Sequence, residues 1–287
     1  MGTIPMVQKA WLYKEYGPKE VLSFGEDVKV PKPAPDQVLV KVHAASLNPI
    51  DTHRRFGVYG KIGVPDSPLP TVPGFDLAGV VVKLGSGVSK FKVGDKVYSD
   101  VNKFAMRNPK QYGTFAEYCA VEERLVAHIP ENLSFAEAAS LPASVETAYQ
   151  ALELAGLQEG GNVLILGGAG GGGSVVVQLA KHVFKAAKVA TTSTPKGDFL
   201  EGLGAGRCDR IQEGRSERPS GQVRYRARPG GKGGDYAHIE GEWQGRFVQW
   251  SSTTATSQIR GDVQCRNGWA YLDSGRATGK LVISPIP

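Results

Sequence analysis

The sequence predicts a two-domain α/β protein, with a β-rich N-terminal domain followed by a domain of alternating strands and helices. Three observations predict it. Short valine-rich runs punctuated by Gly and Asp fill the first 132 residues, a glycine run sits between an apolar strand and a helix, and the composition breaks after residue 205. The 287 residues suffice for two domains of roughly 100–200 residues each. A 41% hydrophobic and 22% charged composition is that of a globular chain, and no run approaches the ~20 apolar residues of a membrane span. The opening MGTIPMVQKAWLYKEYG has neither the apolar core of a signal peptide nor the Arg/Ser bias of a transit peptide, and Met6 breaks the myristoylation pattern. A cytoplasmic location is therefore expected, with the chloroplast left open. Cys119, Cys208 and Cys265 are odd in number and far apart, which argues against a disulfide framework and a Cys-rich zinc site.

The net charge of +6 is unevenly held. Residues 1–205 carry 21 Lys+Arg against 20 Asp+Glu, whereas residues 206–287 carry 13 against 8. The base also changes, from 17 Lys and 4 Arg to 2 Lys and 11 Arg, and no leucine occurs between Leu203 and Leu272. A packed core draws on leucine too often for such a gap to look like ordinary folded sequence.

Within the first domain, DQVLVKVHAASLNPID alternates Val38, Val40 and Val42, the period of a half-buried strand, and stops at Pro49. GFDLAGVVVKLGSGVSKFKVGDKVYS is a second β-rich unit, with a turn at Gly85–Gly87 and a tight reversal at Gly94-Asp95. YGTFAEYCAVEE adds a strand pair, so a small barrel or sandwich is expected. SFAEAASLPASVETAYQALELAG then changes to helical spacing. Ser134 and Glu137 form a capping box, and Pro142 separates two helices.

GNVLILGGAGGGGSVVVQLAKHVFKAAKVATTST reads as an apolar strand (Val163–Leu166), a glycine loop, a helix and a second strand ending near Thr192. Gly168, Ala169, Gly170, Gly172 and Gly173 fall within a GxGxxG pattern followed by Ser174. The pattern suits a Rossmann dinucleotide site: a tight turn, close backbone approach to a pyrophosphate, tight helix–strand packing, and amides at a helix N-terminus facing the phosphates. A flexible linker would also be glycine-rich, but would not sit between a buried strand and an amphipathic helix. An NAD site expects an acidic residue at the end of the second strand. Thr192, Ser193 and Lys196 stand there instead, which favours a 2′-phosphate and hence NADPH over a plain solvated turn.

SLNPID, VPGFDLAGVV, VGDKVY, GTFAEY, SLPASVETAYQAL and GGAGGGGSVVVQLAKHVF resemble the medium-chain dehydrogenase/reductase superfamily, nearly continuously over residues 7–205. The match is with its zinc-free quinone and enone oxidoreductase branch, the zeta-crystallin-like group, and especially its plant members that reduce alkenals and enones. The resemblance implies a GroES-like β-barrel catalytic domain over 1–132, a Rossmann doubly wound parallel sheet over 133–270, and a C-terminal segment, 271–287, returning to the first domain. It implies hydride transfer from NADPH to a small enone or quinone, without zinc, nucleic acid or a membrane, and it allows a homodimer. Asn48 would orient or polarise the substrate carbonyl, Tyr59 would donate a proton or wall the substrate, and Thr147 would meet the nicotinamide end. Gly172 departs from the pattern, standing where the family carries a bulkier residue. His43, His53 and Cys119, the first domain's potential zinc ligands, have no ligand-like spacing.

After FLEGLGA the family continues with a DVVIDY strand and later a Gly-Pro-rich loop, neither of which is present as written. Read one base later, GRCDRIQEGRSERPSGQVRYRARPGGKGG can encode DVVIEYRKAEANDLPDKFDTVLDPVGKEE, and WSSTTATSQIR something like GPPPPPARFV. YLDSGRATGKLVISPIP matches the family again in frame. Residues 206 to about 268 thus read as translated out of frame. The expected consequence is a disrupted second half-sheet, with one edge of the first βαβ unit unpaired and its apolar face uncovered, in a chain that binds NADPH weakly or not at all and aggregates. Two rival readings take the segment literally, as a basic, disordered nucleic-acid-binding segment or as a divergent but folded half of the cofactor domain. The rival functions are a catalytically impaired family remnant or a basic-tailed binding protein without reductase activity. The segment lacks the RGG repeats or aromatic–basic interleaving of a nucleic-acid binder.

Overall fold

The computed structural model describes residues 3–101, 109–192, 197–209, 224–226, 238–240, 246–249, 257–259, 269–270, 272–273 and 280–283. Contacts divide the chain into two units, Met1–Ser144 with Thr254–Pro287, and Val145–Thr253.

In the first unit, β1 (Val7–Tyr13) and β2 (Leu22–Lys29) form an antiparallel pair. The long strand β3 (Gln37–Leu47) leads through Asn48 into a short helix, α1 (Pro49–Arg55). Next come β4 (Asp76–Leu84), β5 (Lys96–Asp100), β6 (Tyr118–Glu122), β7 (Val126–His128) and a short helix, α2 (Phe135–Ala139). Gly94, at the reversal before β5, has φ 98°, a left-handed conformation that favours glycine. Ser134 caps α2 as expected: its hydroxyl accepts from the Glu137 amide, and the Glu137 carboxylate accepts from the Ser134 amide at 2.8 Å.

A helix beginning at Pro142, α3 (Pro142–Leu154), runs on into the second unit. There β8 (Asn162–Leu166), α4 (Gly171–Gln178), β9 (Lys188–Thr192), α5 (Gly197–Gly202) and β10 (Arg207–Asp209) follow in turn. β11 (Arg224–Arg226) and β12 (His238–Glu240) pair with each other, and β13 (Arg246–Gln249) joins the main sheet of this unit. That sheet is parallel, in the order β10-β9-β8-β13. The chain builds outward from β8 to β10 and then crosses back to place β13 on the opposite side, the doubly wound arrangement. The expectation of an unpaired edge is therefore corrected: Phe247 and Val248 sit opposite Leu164 and Ile165. A four-residue strand in a leucine-free stretch gives little periodicity to read, whereas its backbone groups can complete the ladder whatever the side chains. Beneath the sheet, Val163, Ile165, Val176, Val177, Val189 and Leu200 form one apolar core.

The chain then returns to the first unit with β14 (Ser257–Ile259) and β15 (Leu281–Ile283). The seven-stranded sheet runs β14-β15-β3-β4-β5-β7, with β6 also on β3. One edge of β3 carries β4. The other is divided, Gln37–Lys41 pairing with β6 and Ala45–Leu47 with β15. Val38, Val40 and Val42 are buried as the alternation predicts, but Leu39 is buried too, and an irregularity between Val42 and Ala44 turns Ala44 toward Ala138 and Ala139 of α2, so β3 is covered on part of its second face as well. Trp269 and Leu272 enter the same core as Val40, Leu77, Val97 and Phe115, which ties the C-terminal segment to this unit. Among the described residues, no helix is long and apolar enough to cross a membrane.

Candidate active site

Strand register assembles a buried polar centre in the first unit. Ser46 lies opposite Asp76 on β4, and Leu47 lies opposite Leu281 on β15, so the residues just beyond, Asn48 and Lys280, come together. The Lys280 ammonium donates to Asn48 Oδ1, to Asp76 Oδ2 at 3.0 Å and to Ser144 Oγ at 2.9 Å. All three of its N–H groups are thereby used. Asp76 Oδ2 also accepts from Ser46 Oγ at 2.7 Å and Asn48 Nδ2 at 2.9 Å, and Oδ1 accepts from the Ala143 amide at 2.9 Å. A buried ion pair costs more in lost hydration than it returns unless such further hydrogen bonds satisfy both partners, and here they do.

Asp51, on the first turn of α1, adds a second buried carboxyl. It accepts from the amides of Asn48 at 2.8 Å and Gly74 at 3.1 Å. Burial pushes its pKa up to about 8; the two amides and the Lys280 charge oppose that rise, and the Asp76 charge reinforces it.

The other end of α1 holds two buried arginines. Arg54 pairs with Asp66 at 3.5 Å and lies 4.3 Å from the Tyr59 ring centroid, a cation–π contact. Burial raises the Tyr59 phenol above its ordinary pKa, with Arg54 opposing, so the hydroxyl stays protonated and available as a donor. Arg55 donates to Asp273 at 2.7 Å and the Gly17 carbonyl at 2.8 Å, and stacks on Trp269 at 5.0 Å.

The second unit carries the glycine loop at the carboxyl end of β8, at the point where the sheet order reverses between β8 and β13. Ligands of doubly wound sheets bind at such a switch point. The left-handed turn falls at Gly167, φ 74°, one residue before the GxGxxG pattern. Gly168 is needed for space instead, because a Cβ there would lie 2.0 Å from Thr191 Oγ1 on β9. A Cβ at Gly173 would lie 2.2 Å from the Gly167 carbonyl oxygen, so helix and loop touch backbone to backbone. Gly170 caps α4, and Ser174 already bonds back to the Gly170 carbonyl at 2.7 Å. The amides of Gly171, Gly172 and Gly173 are the first-turn donors that an α-helix leaves without an internal acceptor. These features fit a pyrophosphate: bare backbone, a helix N-terminus and a switch point coincide.

Of the residues singled out by sequence, Asn48 sits in the polar centre and Tyr59 beyond the far end of α1, a helix of seven residues and so about 10 Å long. Gly168, Ala169, Gly170, Gly172, Gly173 and Ser174 are gathered at one loop and helix start, and Thr147 lies on α3 in the second unit. Thr192 ends β9, while Ser193 and Lys196 lie outside the described residues. His43 stacks on Phe135 at 4.5 Å, His53 meets the Tyr59 ring edge-on, and burial raises the Cys119 thiol to about 11. Among the described residues no group of His, Cys, Asp and Glu could hold a metal ion. Sequence reasoning missed Asp51, Asp76, Ser144 and Lys280. Asp51 and Asp76 stood inside quoted motifs as charged residues beside apolar runs, but nothing in their spacing pointed to a lysine 204 residues after Asp76.

Residues 34–131 match the model of the alcohol dehydrogenase GroES-like domain. The chain is 45% identical, over 317 aligned positions, to a 2-methylene-furan-3-one reductase of Solanum lycopersicum, covering 99% of this chain and 81% of that protein. It is 40% identical to an NADPH-dependent alkenal/one oxidoreductase, chloroplastic, of Arabidopsis thaliana, covering 100% and 82% respectively. Among solved structures it resembles the quinone oxidoreductase of Coxiella burnetii with a TM-score of 0.62 and 37% identity, over 71% of this chain and 62% of that one.

Proposed function

Because the chain belongs to the medium-chain dehydrogenase/reductase superfamily, in its quinone and enone oxidoreductase branch, we propose that it reduces α,β-unsaturated carbonyls or quinones with NADPH. The observation that carries the reading is the glycine loop at the switch point of a parallel sheet, where bare backbone and helix amides suit a pyrophosphate. When bound, NADPH supplies a hydride to the β-carbon of an enone or to a quinone.

Gly168, Ala169, Gly170, Gly172, Gly173 and Ser174 hold the pyrophosphate in this proposal, and Thr147 meets the nicotinamide end. Thr192, Ser193 and Lys196 take the 2′-phosphate. Asn48 has Oδ1 and one Nδ2 hydrogen committed to Lys280 and Asp76, so its second Nδ2 hydrogen is the donor for the substrate oxygen, where negative charge develops. Tyr59, protonated at neutral pH, returns the proton that completes reduction.

The chemistry proposed needs no zinc. That reading is supported by His43 and His53 packing against aromatic rings, and by a Cys119 thiol held far from the thiolate form a zinc ligand requires. The domain bounds expected from sequence, 1–132 with 271–287 and 133–270, stand beside units that place 133–144 and 254–270 with the first, and residues 206–268 are taken as read out of frame. Sequencing the transcript across codons 200–275 tests that last point. A homodimer and a cytoplasmic location, or a chloroplast one, complete the proposal.

The test of function is NADPH consumption by the purified chain with a small enone and with a quinone. With β13 paired to β8, saturable consumption with either is expected, in place of the weak NADPH binding that an unpaired edge implied. None with both, alongside a folded protein, overturns the reading.

A further inference from the structure

We propose that Lys280 is a positioning residue for this reduction: its ammonium sets which end of the Asn48 carboxamide meets the substrate oxygen. The inference rests on the reading of Asn48 given above. A carboxamide has an accepting and a donating end, and either can face a given direction. Here the choice is fixed from two sides. Lys280 can only donate, so it must face Oδ1, and the Asp76 carboxylate accepts from Nδ2 at 2.9 Å. The amide left toward any further ligand is therefore an N–H, which suits a carbonyl oxygen and not a hydroxyl proton or a cation.

Position follows from the strands. Leu281, Val282 and Ile283 pair with Leu47, Ser46 and Ala45, which places the residue before β15 against the residue after β3. Lys280 is held there by three acceptors on three segments, Asn48, Asp76 and Ser144. Its side chain is 6% exposed, and Asn48 is likewise 6% exposed, so neither is free to turn into solvent. The ammonium also draws charge from Oδ1, which makes the remaining Nδ2–H a stronger donor than a neutral partner would.

The test combines Lys280→Met, Asn48→Ala and their double variant, and measures kcat, KM, NADPH affinity and melting temperature of the full chain. Lys280→Met should lower kcat about tenfold or more, the loss of one charge-assisted hydrogen bond, while leaving NADPH affinity unchanged. In the Asn48→Ala background the same change should lower kcat by no more than about twofold, since its target is gone. An equal loss in both backgrounds, or a lowered melting temperature with unchanged kcat, overturns the proposal.

Lys280→Met leaves Asp76 buried without its cation and can unfold the chain. The paired change Asp76→Asn with Lys280→Met removes both charges, and it should retain the fold and still lose the kcat. A readout independent of turnover is solvent exchange of the Asn48 carboxamide protons by NMR. It should be slow in the wild type and about tenfold faster in the paired variant, as expected for a lost charge-assisted bond. Equal exchange in both refutes the positioning role. Absent turnover in a wild type whose Asn48 protons are protected refutes only the proposed function.

Discussion

Gly173→Ala puts a methyl group into a space that holds none. Its Cβ would lie 2.2 Å from the Gly167 carbonyl oxygen and 2.8 Å from the Gly168 Cα, where contacts under 3.0 Å essentially never occur. Both neighbours are backbone, so no side chain can turn away, and α4 must move off the loop that precedes it. Overpacking of this kind costs about 1–3 kcal/mol. The same displacement moves the amides of Gly171–Gly173 relative to the loop, and a mismatch of 1–3 kcal/mol weakens a ligand about 5- to 150-fold. The assay is NADPH fluorescence titration beside a thermal melt. Gly168→Ala should behave similarly, its methyl meeting Thr191 Oγ1 at 2.0 Å and Thr191 Cβ at 3.0 Å. Adding Thr191→Ala removes the closer of those atoms and should restore part of the affinity. If both glycine variants bind NADPH and melt as the wild type does, the loop is not the phosphate site.

Further outcomes follow from the same structure. Asp51 has a folded pKa of about 8 against an ordinary 3.8, so the folded state holds a proton that the unfolded state has released between those values. Its stability contribution is fully present below the unfolded value and lost as pH rises through the folded one, with a slope of about 1.4 kcal/mol per pH unit. Asp51→Asn should flatten that fall in denaturant melts from pH 4.5 to 7.5, and an unchanged slope would contradict the assignment. Trp269→Ala empties a fully buried site beside Phe115 and Arg55 and should cost about 3–5 kcal/mol. A loss below about 1 kcal/mol would show that the C-terminal segment is not part of the first unit's core. Tyr59→Phe keeps the ring over Arg54 and removes the hydroxyl. If Tyr59 is the proton donor, kcat falls about 100-fold or more with KM little changed; an unchanged kcat assigns it a packing role.

Local signals in the chain proved readable where they were self-contained. The Ser134–Glu137 cap, the start of α3 at Pro142, and the strand–loop–helix around Gly168 each depend on neighbours within a few residues. The left-handed turn fell one residue early, at Gly167, because in a run of glycines composition does not say which one carries the turn and which one is needed for clearance. The double burial of β3 was not legible, since its second face is covered by α2, more than 90 residues away, where Ala138 and Ala139 pack with Ala44. Lys280 was illegible for the same reason. A lysine before a short apolar run reads as a solvated strand end until β15 pairs with β3 and carries it to Asn48 and Asp76. β13 failed differently: Arg246, Phe247, Val248 and Gln249 hold only two apolar residues, inside a stretch whose composition argued against a core.

Hydride transfer from NADPH to an electron-poor carbon can be followed by isotope transfer. Purified chain, a small enone and NADPH deuterated at the reducing position of the nicotinamide would be incubated and the product examined by mass spectrometry and NMR. The expected product is a saturated carbonyl compound carrying one deuterium at the β-carbon, with the proton at the α-carbon drawn from solvent. An unreduced enone, or deuterium at the carbonyl carbon of an allylic alcohol, would contradict it.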